Sequence, residues 1–213
     1  MIKIENIQIY NLQNAVYSAR NAYMSWDKSD TILDGSNNLG NNDLNLAKSL
    51  IMAGPSHSKF LRQIFVNMDI TAPLYFWKEA DTYKVGTVAN SCSTMHTLQK
   101  YPITIDSFSF DNIDPDKIIY ENHHGGYFIK DFIEGTIEDC EKLRQLYLST
   151  KDKNYWRALI QILPSGWNQK RTWTANYAVL RNIVETRSTH KLTEWLEFLQ
   201  IIKKLPYGEE LLT

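Results

Sequence analysis

Asn176, Asn182 and Arg187 are polar side chains in a stretch whose other residues, Tyr177, Val179, Leu180, Ile183 and Val184, have the spacing of a helix facing a core. Asn176 and Arg187 are eleven residues apart, close to three whole turns, so a helix through both projects their side chains from one face. Amides both donate and accept hydrogen bonds, and a guanidinium presents a planar fork of donors. With a second stretch, His57 to His96, these residues read as two parts of one nucleotide site. Other reactive groups carry less. Cys92 offers a thiol with His96 near in sequence, but it reads better as a small buried cysteine. His123-His124 before Gly125-Gly126 lacks spaced Cys, Asp or Glu partners, so it reads as an exposed turn and no metal is expected. Asp81, Tyr83 and Lys84 form a polar cluster at a helix end or a solvated face.

The elements that must position these groups follow from periodicity. Isoleucines at 2 and 4, then at 7 and 9, give a strand over Met1 to Tyr10 that changes face near Glu5 and Asn6, as a bulge would make it do. Leu12 to Trp26 has helical spacing, Asp30 to Asn42 is a polar loop, and Asp43 to Met52 is a short helix stopped by Gly54-Pro55. Phe60 to Ile70 favours a strand. Pro73 suits the first turn of a helix running through Trp77 to about Lys84. Val85 to Ser93 reads as a loop, Ile103 to Phe110 as a half-buried strand, and Asn112 to Gly126 as a connector. Tyr127 to Thr150 gives one interrupted helix or two short ones, with Gly135 as the break. Tyr155 to Leu163 is helical, Gln169 to Thr174 is β-prone, and Asn176 to Thr186 and Leu192 to Leu205 are helical, the last stopped by Pro206. Trp167 and Trp173 flank the β-prone stretch and read as core or oligomer-contact groups.

Composition limits the function classes. The 213 residues, 43% hydrophobic and 12% aromatic, suffice for a packed core, and nothing marks a boundary or a repeat, so one mixed α+β domain over residues 1–213 is expected. Lys and Arg number 23 against 24 Asp and Glu, which argues against a general electrostatic grip on DNA or anionic lipid. No apolar run reaches the ~20 residues of a bilayer span. Two cysteines without C-x-x-C spacing, and no charged-then-apolar leader, point to the cytosol.

Leu163-Pro164 through Trp173-Thr174-Ala175-Asn176 to Arg187 resembles the C-terminal block of the flavin-dependent thymidylate synthases, in which Leu-Pro leads to an aromatic-Thr-x-Asn strand end and a helix ending in arginine. His57, then a strand, then Ala72-Pro73 entering a helix resembles that family's earlier block. The resemblance implies an α+β domain with a mainly antiparallel curved sheet flanked by helices, FAD as cofactor, and a homotetramer. It implies reductive methylation of dUMP, or a related one-carbon transfer to a pyrimidine nucleotide, with methylenetetrahydrofolate as carbon donor. His57, Lys84, Asn90, Asn176 and Asn182 would contact the cofactor. Arg187 would touch the uracil and stabilise charge developing on it, Ser93 would position substrate, and both would count as catalytic.

The departures concern phosphate. Thr82-Tyr83-Lys84 stands where the family has Arg-His-Arg, so only Lys84 keeps a charge there. Asn90-Ser91-Cys92-Ser93-Thr94-Met95 falls on the family's loop, retaining Asn90 and Ser93 and placing Met95 on a phosphate arginine. Ile160 replaces a second arginine, and Arg157, one turn earlier, is its candidate substitute as a substrate contact. Met offers none of the bidentate geometry that Arg gives a phosphate. Three readings stay open: an enzyme of this type, a non-catalytic relative that binds a nucleotide or flavin for sensing or sequestration, and an oligomeric scaffold with a closed pocket. The bland alternative for Arg187 is a surface arginine at a helix C-terminus, favoured by the helix dipole. If Arg187 contacts a nucleotide, Arg187→Ala is expected to weaken binding by ~1.5 to 3 kcal/mol, read by titration; an unchanged affinity would place that side chain elsewhere.

Overall fold

In a computed structural model the structure describes residues 2–122 and 125–213, so Met1 and the His123-His124 pair, expected as an exposed turn, lie outside the described residues. In chain order the elements are β1 (Lys3–Tyr10), α1 (Leu12–Ser18), α2 (Asn41–Met52), β2 (Phe65–Pro73), α3 (Leu74–Ala80), β3 (Thr87–Ser91), α4 (Thr94–Thr97), β4 (Ile118–Asn122), β5 (Gly125–Phe128), α5 (Ile129–Thr150), α6 (Lys153–Ile162), β6 (Asn168–Asn176), α7 (Tyr177–Arg187), α8 (Thr193–Ile202) and α9 (Gly208–Leu211). This is the expected α+β class. The chain forms two compact units, one of Met1–Thr71, Lys78–Asn90 and Arg171–Thr213, the other of Ala72–Trp77 and Ser91–Lys170.

A four-stranded sheet of order β1-β2-β6-β3 carries the first unit. β1 pairs antiparallel with β2, and the register slips between Glu5 and Gln8 where Asn6 takes φ 52°, so the expected bulge is present. Asparagine tolerates that left-handed backbone better than most side chains. Alternate β2 residues Val66, Met68 and Ile70 are buried, as a strand with one face on a core requires. Trp173 and Trp195 both meet Phe198 edge-on, at 6.0 and 5.8 Å, so Trp173 packs in the core. Buried Arg20 and Asp43 pair at 2.6 Å. Burial opposes ionisation of Asp43, but hydrogen bonds from Ser29, Thr31 and Arg20 outweigh it and hold the carboxyl below its ordinary range.

Several expected elements differ in this unit. The helix over Leu12 to Trp26 ends at Ser18, whose hydroxyl bonds back to the Ala15 carbonyl, and 3₁₀ turns follow over Ala19–Tyr23 and Trp26–Lys28. The strand expected from Phe60 begins at Phe65, after a 3₁₀ turn at Lys59–Gln63. Pro73 ends β2 instead of entering a helix, which fits the extended backbone that proline imposes on its predecessor. Val85 to Ser93 contains an edge strand, β3, not only loop. Its side chains are mostly exposed, so no alternation signals it and backbone pairing alone makes the strand.

The second unit is built on α5 and α6. Leu98, Ile103, Phe108, Cys140 and Leu159 form its buried cluster, with Ile160, Leu163 and Trp167 packed against it. Burial pushes the Cys140 thiol up, which keeps it neutral. α5 runs unbroken through Gly135, where a β-carbon would meet nothing, so the expected interruption is absent. Ile103 to Phe110 is not a strand. Thr104 and Ser107 cap a 3₁₀ turn at Ile105–Ser107 through reciprocal side-chain bonds, and only Phe108 bridges to Trp167. The expected connector from Asn112 instead contains the β4–β5 pair.

Glu141 fastens this unit by accepting from Arg144 at 2.6 and 2.7 Å and from the Ile103 N–H at 2.7 Å. The Arg144 hydrogen bonds hold its carboxyl down to about 2. A folded pKa below the unfolded value means this stabilisation is complete above the ordinary glutamate pKa and is lost as pH falls through about 2. Glu141→Gln should therefore lower stability at neutral pH and flatten its acid dependence, measured by urea melts between pH 2 and 7. Parallel wild-type and variant curves across that range would contradict the assignment.

Candidate functional site

The first unit contains a cavity of about 500 Å³ lined by Arg62, Thr82, Tyr83, Lys84, Val85, Asn176, Ala178, Val179 and Asn182. No carboxylate is among its lining residues. Two turns of sequence chemistry build it. β6 ends at Asn176, still extended at φ −104° and ψ 164°, and its Oδ1 accepts from the Val179 N–H at 2.9 Å to cap α7. The turn after α3 brings Tyr83, Lys84 and Val85 opposite, closing on Gly86 at φ +81°. A β-carbon at Gly86 would stand 2.5 Å from Asn176 Nδ2 and 3.2 Å from Val179 Cγ2, so glycine is required for both space and backbone. Asn176 is 7% exposed, and its Nδ2 has no hydrogen-bond acceptor among the described residues.

Asn176 therefore caps the helix and does not lie within it, which corrects the expectation that it and Arg187 share one helical face. Arg187, the last residue of α7, lies among other partners. Its Nη1 donates to Glu79 at 2.8 Å and its Nε to the Tyr83 hydroxyl at 2.9 Å. Its guanidinium carbon stands 5.0 Å from the Trp195 ring centroid and 5.6 Å from that of Tyr83. Glu79 Oε2 also accepts from Trp195 Nε1 at 3.0 Å and lies 3.2 Å from His190 Nε2. Arg187 Nη2 is left without a hydrogen-bond partner among the described residues. Tyr83 links this cluster to the cavity, since it lines one and accepts from the other.

The residues read from the sequence are thus distributed. Lys84, Asn176 and Asn182 line one cavity, with Lys84 and Asn182 exposed. His57 is exposed and lines a different hollow of about 450 Å³ together with Arg20 and Tyr23. Asn90 is an exposed residue of β3. In the second unit Ser93 precedes α4, where its carbonyl accepts from Thr97 N at 3.0 Å, and Arg157 is exposed on α6. The Trp156 Nε1 donates to the Met95 carbonyl at 3.3 Å, which joins α6 to α4. Cys92 is exposed, not buried as expected, and its sulfur lies 3.5 Å from Thr97 Oγ1. Among the described residues no His, Cys, Asp and Glu side chains gather in threes as around a metal ion, and no helix is long and apolar enough to cross a membrane.

Arg62 was not singled out from the sequence. It sits in a 3₁₀ turn, and the only sequence signal was a basic residue in the last turn before β2. Neither Arg62 nor Lys84 has a carboxylate partner among the described residues. The donor set is therefore two free cations and two amides. Amides suit the donor–acceptor edge of a flat heterocycle, and the cations suit phosphate.

No family model matches the chain, and no curated protein matches it. Among solved structures it is similar to the flavin-dependent thymidylate synthase ThyX of Helicobacter pylori complexed with FAD and dUMP, with TM-score 0.67 and 18% identity over 99% of this chain and 96% of that one. It is also similar to the UMP/dUMP methylase PolB of Streptomyces cacaoi bound with 5-Br UMP, with TM-score 0.65 and 12% identity over 99% of this chain and 93% of that one. The fold is accordingly that of the flavin-dependent thymidylate synthases, as the sequence resemblance implied.

Gly86→Ala should cost about 1 to 2 kcal/mol from the left-handed backbone alone. It should also push Asn176 from its cap, reducing helicity and any binding in the cavity together. Wild-type thermal stability in that variant would show that the close approach does not hold in solution.

Proposed function

We propose that this chain binds FAD and uses the reduced cofactor in a one-carbon transfer to a pyrimidine nucleotide such as dUMP. The observation that carries this reading is the acid-free cavity in which the Asn176 and Asn182 amides stand with Arg62 and Lys84, on a fold shared with FAD-bound and nucleotide-bound proteins. Those groups fit a flavin: the amides match its carbonyl and ring-nitrogen edge, and Lys84 and Arg62 match its phosphates. When bound, reduced flavin supplies the hydride and methylenetetrahydrofolate the carbon.

The protein's own part is to hold rings and place charge. Asn176 presents Nδ2 from a backbone fixed by its own cap. Tyr83 walls the cavity and is anchored to Thr186 at 3.0 Å and to Arg187. Arg187, immobilised by Glu79, Tyr83 and Trp195, would offer Nη2 to a pyrimidine oxygen as negative charge builds on it, with no reorganisation needed at that moment. Ser93 is assigned to positioning the substrate, and Arg157 to its phosphate. The working protein would be a cytosolic homo-oligomer, a tetramer by resemblance.

One observation favours a second reading, in which the chain binds flavin or nucleotide without turning it over. Glu79 neutralises Arg187, so the charge that would stabilise the ring is already matched inside the protein. The two readings separate in order. Purified protein, or protein incubated with FAD, should show bound-flavin absorption in the blue; a preparation that stays colourless and takes up no FAD removes both. Tritium release from 5-tritiated dUMP, with reduced flavin and methylenetetrahydrofolate, should then be seen for the enzyme and be lost in Arg187→Ala. Flavin binding without release leaves the binding protein as the function.

A further inference from the structure

The second unit contains a cavity of about 410 Å³ that no candidate site residue lines. Phe108 and Ile133 are buried at its floor, while Ile105 and Ile113 are 53% and 41% exposed along its walls. Phe110 also lines it and stacks on Phe108 with ring centroids 5.4 Å apart, so part of the lining is aromatic. The polar lining is Asp106, Asp111, Glu134 and Lys130, which sets three carboxylates against one ammonium. That ammonium is already matched. Lys130 Nζ lies 2.8 Å from Asp116 Oδ1 and 5.2 Å from the Phe128 ring centroid, and neither partner lines the cavity. The bond to Asp116, with the charges of Asp131 and Glu134 behind it, pushes the Lys130 pKa up. Asp106 and Glu134 are exposed and form no ion pair among the described residues. The start of α5 offers an anion little, since the Ile129 and Lys130 N–H groups donate to the Lys117 and Pro115 carbonyls at 2.9 Å.

We infer that this cavity binds a small organic cation, an ammonium group carried on an apolar or aromatic body. Shape and charge point the same way. A concave, mostly apolar lining with a few polar groups is the form that small-molecule sites take, and this volume falls within their range. The surplus of carboxylate then selects the sign of the guest. An anion would meet Asp106 and Glu134 as like charges, and a neutral apolar guest would leave both without a partner. An ammonium can pair with either carboxylate while its body covers Ile105 and Ile113, and the Phe108 and Phe110 rings add the attraction of an aromatic face for a cation. The inference is independent of flavin or nucleotide binding, whose candidate residues lie outside this cavity.

Calorimetric titrations of the full chain with tryptamine, tryptophol and indole-3-propionate test it, because the three share one ring system and differ in charge. Tryptamine should bind about tenfold more tightly than tryptophol, the step expected of a hydrogen bond between charged groups, and the acid should not bind. Added salt should weaken the amine and leave the alcohol as it was. Asp106→Asn and Glu134→Gln, both at exposed positions, should each weaken tryptamine about threefold and together bring it to the tryptophol level. Circular dichroism reports the fold of each variant. Absence of tryptamine binding at millimolar concentration, equal affinities for the amine and the acid, or an affinity unmoved in the folded double variant overturns the inference.

Discussion

The change from extended to helical backbone at Asn176 is the constraint on which the candidate site rests. A helix that begins where a strand ends leaves its first N–H groups without partners. Here Asn176 Oδ1 takes the Val179 N–H, and the Tyr177 N–H reaches the Ile64 carbonyl at 3.0 Å. Tyr177 then goes under the core, where burial pushes its phenol up and keeps it protonated to donate to the Pro206 carbonyl at 2.8 Å. A cap of this kind is worth about 0.5 to 2 kcal/mol. Its structural effect is larger than that figure suggests, because α7 carries the cavity wall at one end and Arg187 at the other. With Oδ1 committed to the cap, the amide can turn only Nδ2 towards the cavity, so one residue fixes both the helix and the donor.

Charge is divided unequally over the first unit. Glu79 gathers Arg187, Trp195 and His190 around one carboxylate, and the aromatic faces of Tyr83 and Trp195 cover the guanidinium. A cation so matched attracts a distant anion weakly, but it is held in one geometry. Arg62 and Lys84 have the opposite character, being exposed and without a carboxylate partner among the described residues. Free cations beside a cavity draw an anionic ligand in, whereas a matched and immobilised one serves orientation once the ligand is there. The two kinds of positive charge thus suit successive stages of binding.

The sequence announced the parts that depend on local periodicity and missed those that depend on pairing in space. The β1 bulge was legible because isoleucines changed face across Glu5-Asn6, and α7 was legible because its apolar residues keep helical spacing. β3 was not, since an edge strand with exposed side chains has no alternation to read. Ile103 to Phe110 alternated as a strand does, yet Ile105 is 53% exposed and the polar Thr104 and Ser107 drew the backbone into a turn. At the site, the amides and Lys84 were legible from motif spacing. Arg62 was not, because a lone basic residue before a strand looks like any solvated side chain until the cavity brings it beside Asn176. The partners of Arg187 were equally hidden, as Glu79 lies 108 positions away in the chain.

The absence of arginine at Met95 and Ile160, where the resemblance implies one, has a packing rationale in one case. Ile160 packs against the Cys140–Leu159 cluster of the second unit, where a guanidinium would enter an apolar core without a partner, at a cost of several kcal/mol. Met95 is exposed, so burial does not forbid arginine there, and nothing in the structure explains that replacement. Neither position therefore offers the arginine that the resemblance implies. What remains is a pair of unmatched cations, one kept from that pattern and one outside it, beside amides whose geometry is set by a helix cap. On the proposed function, phosphate recognition would rest on the guanidinium fork of Arg62 and the point charge of Lys84. Selectivity on that reading would come from the amide end of the cavity.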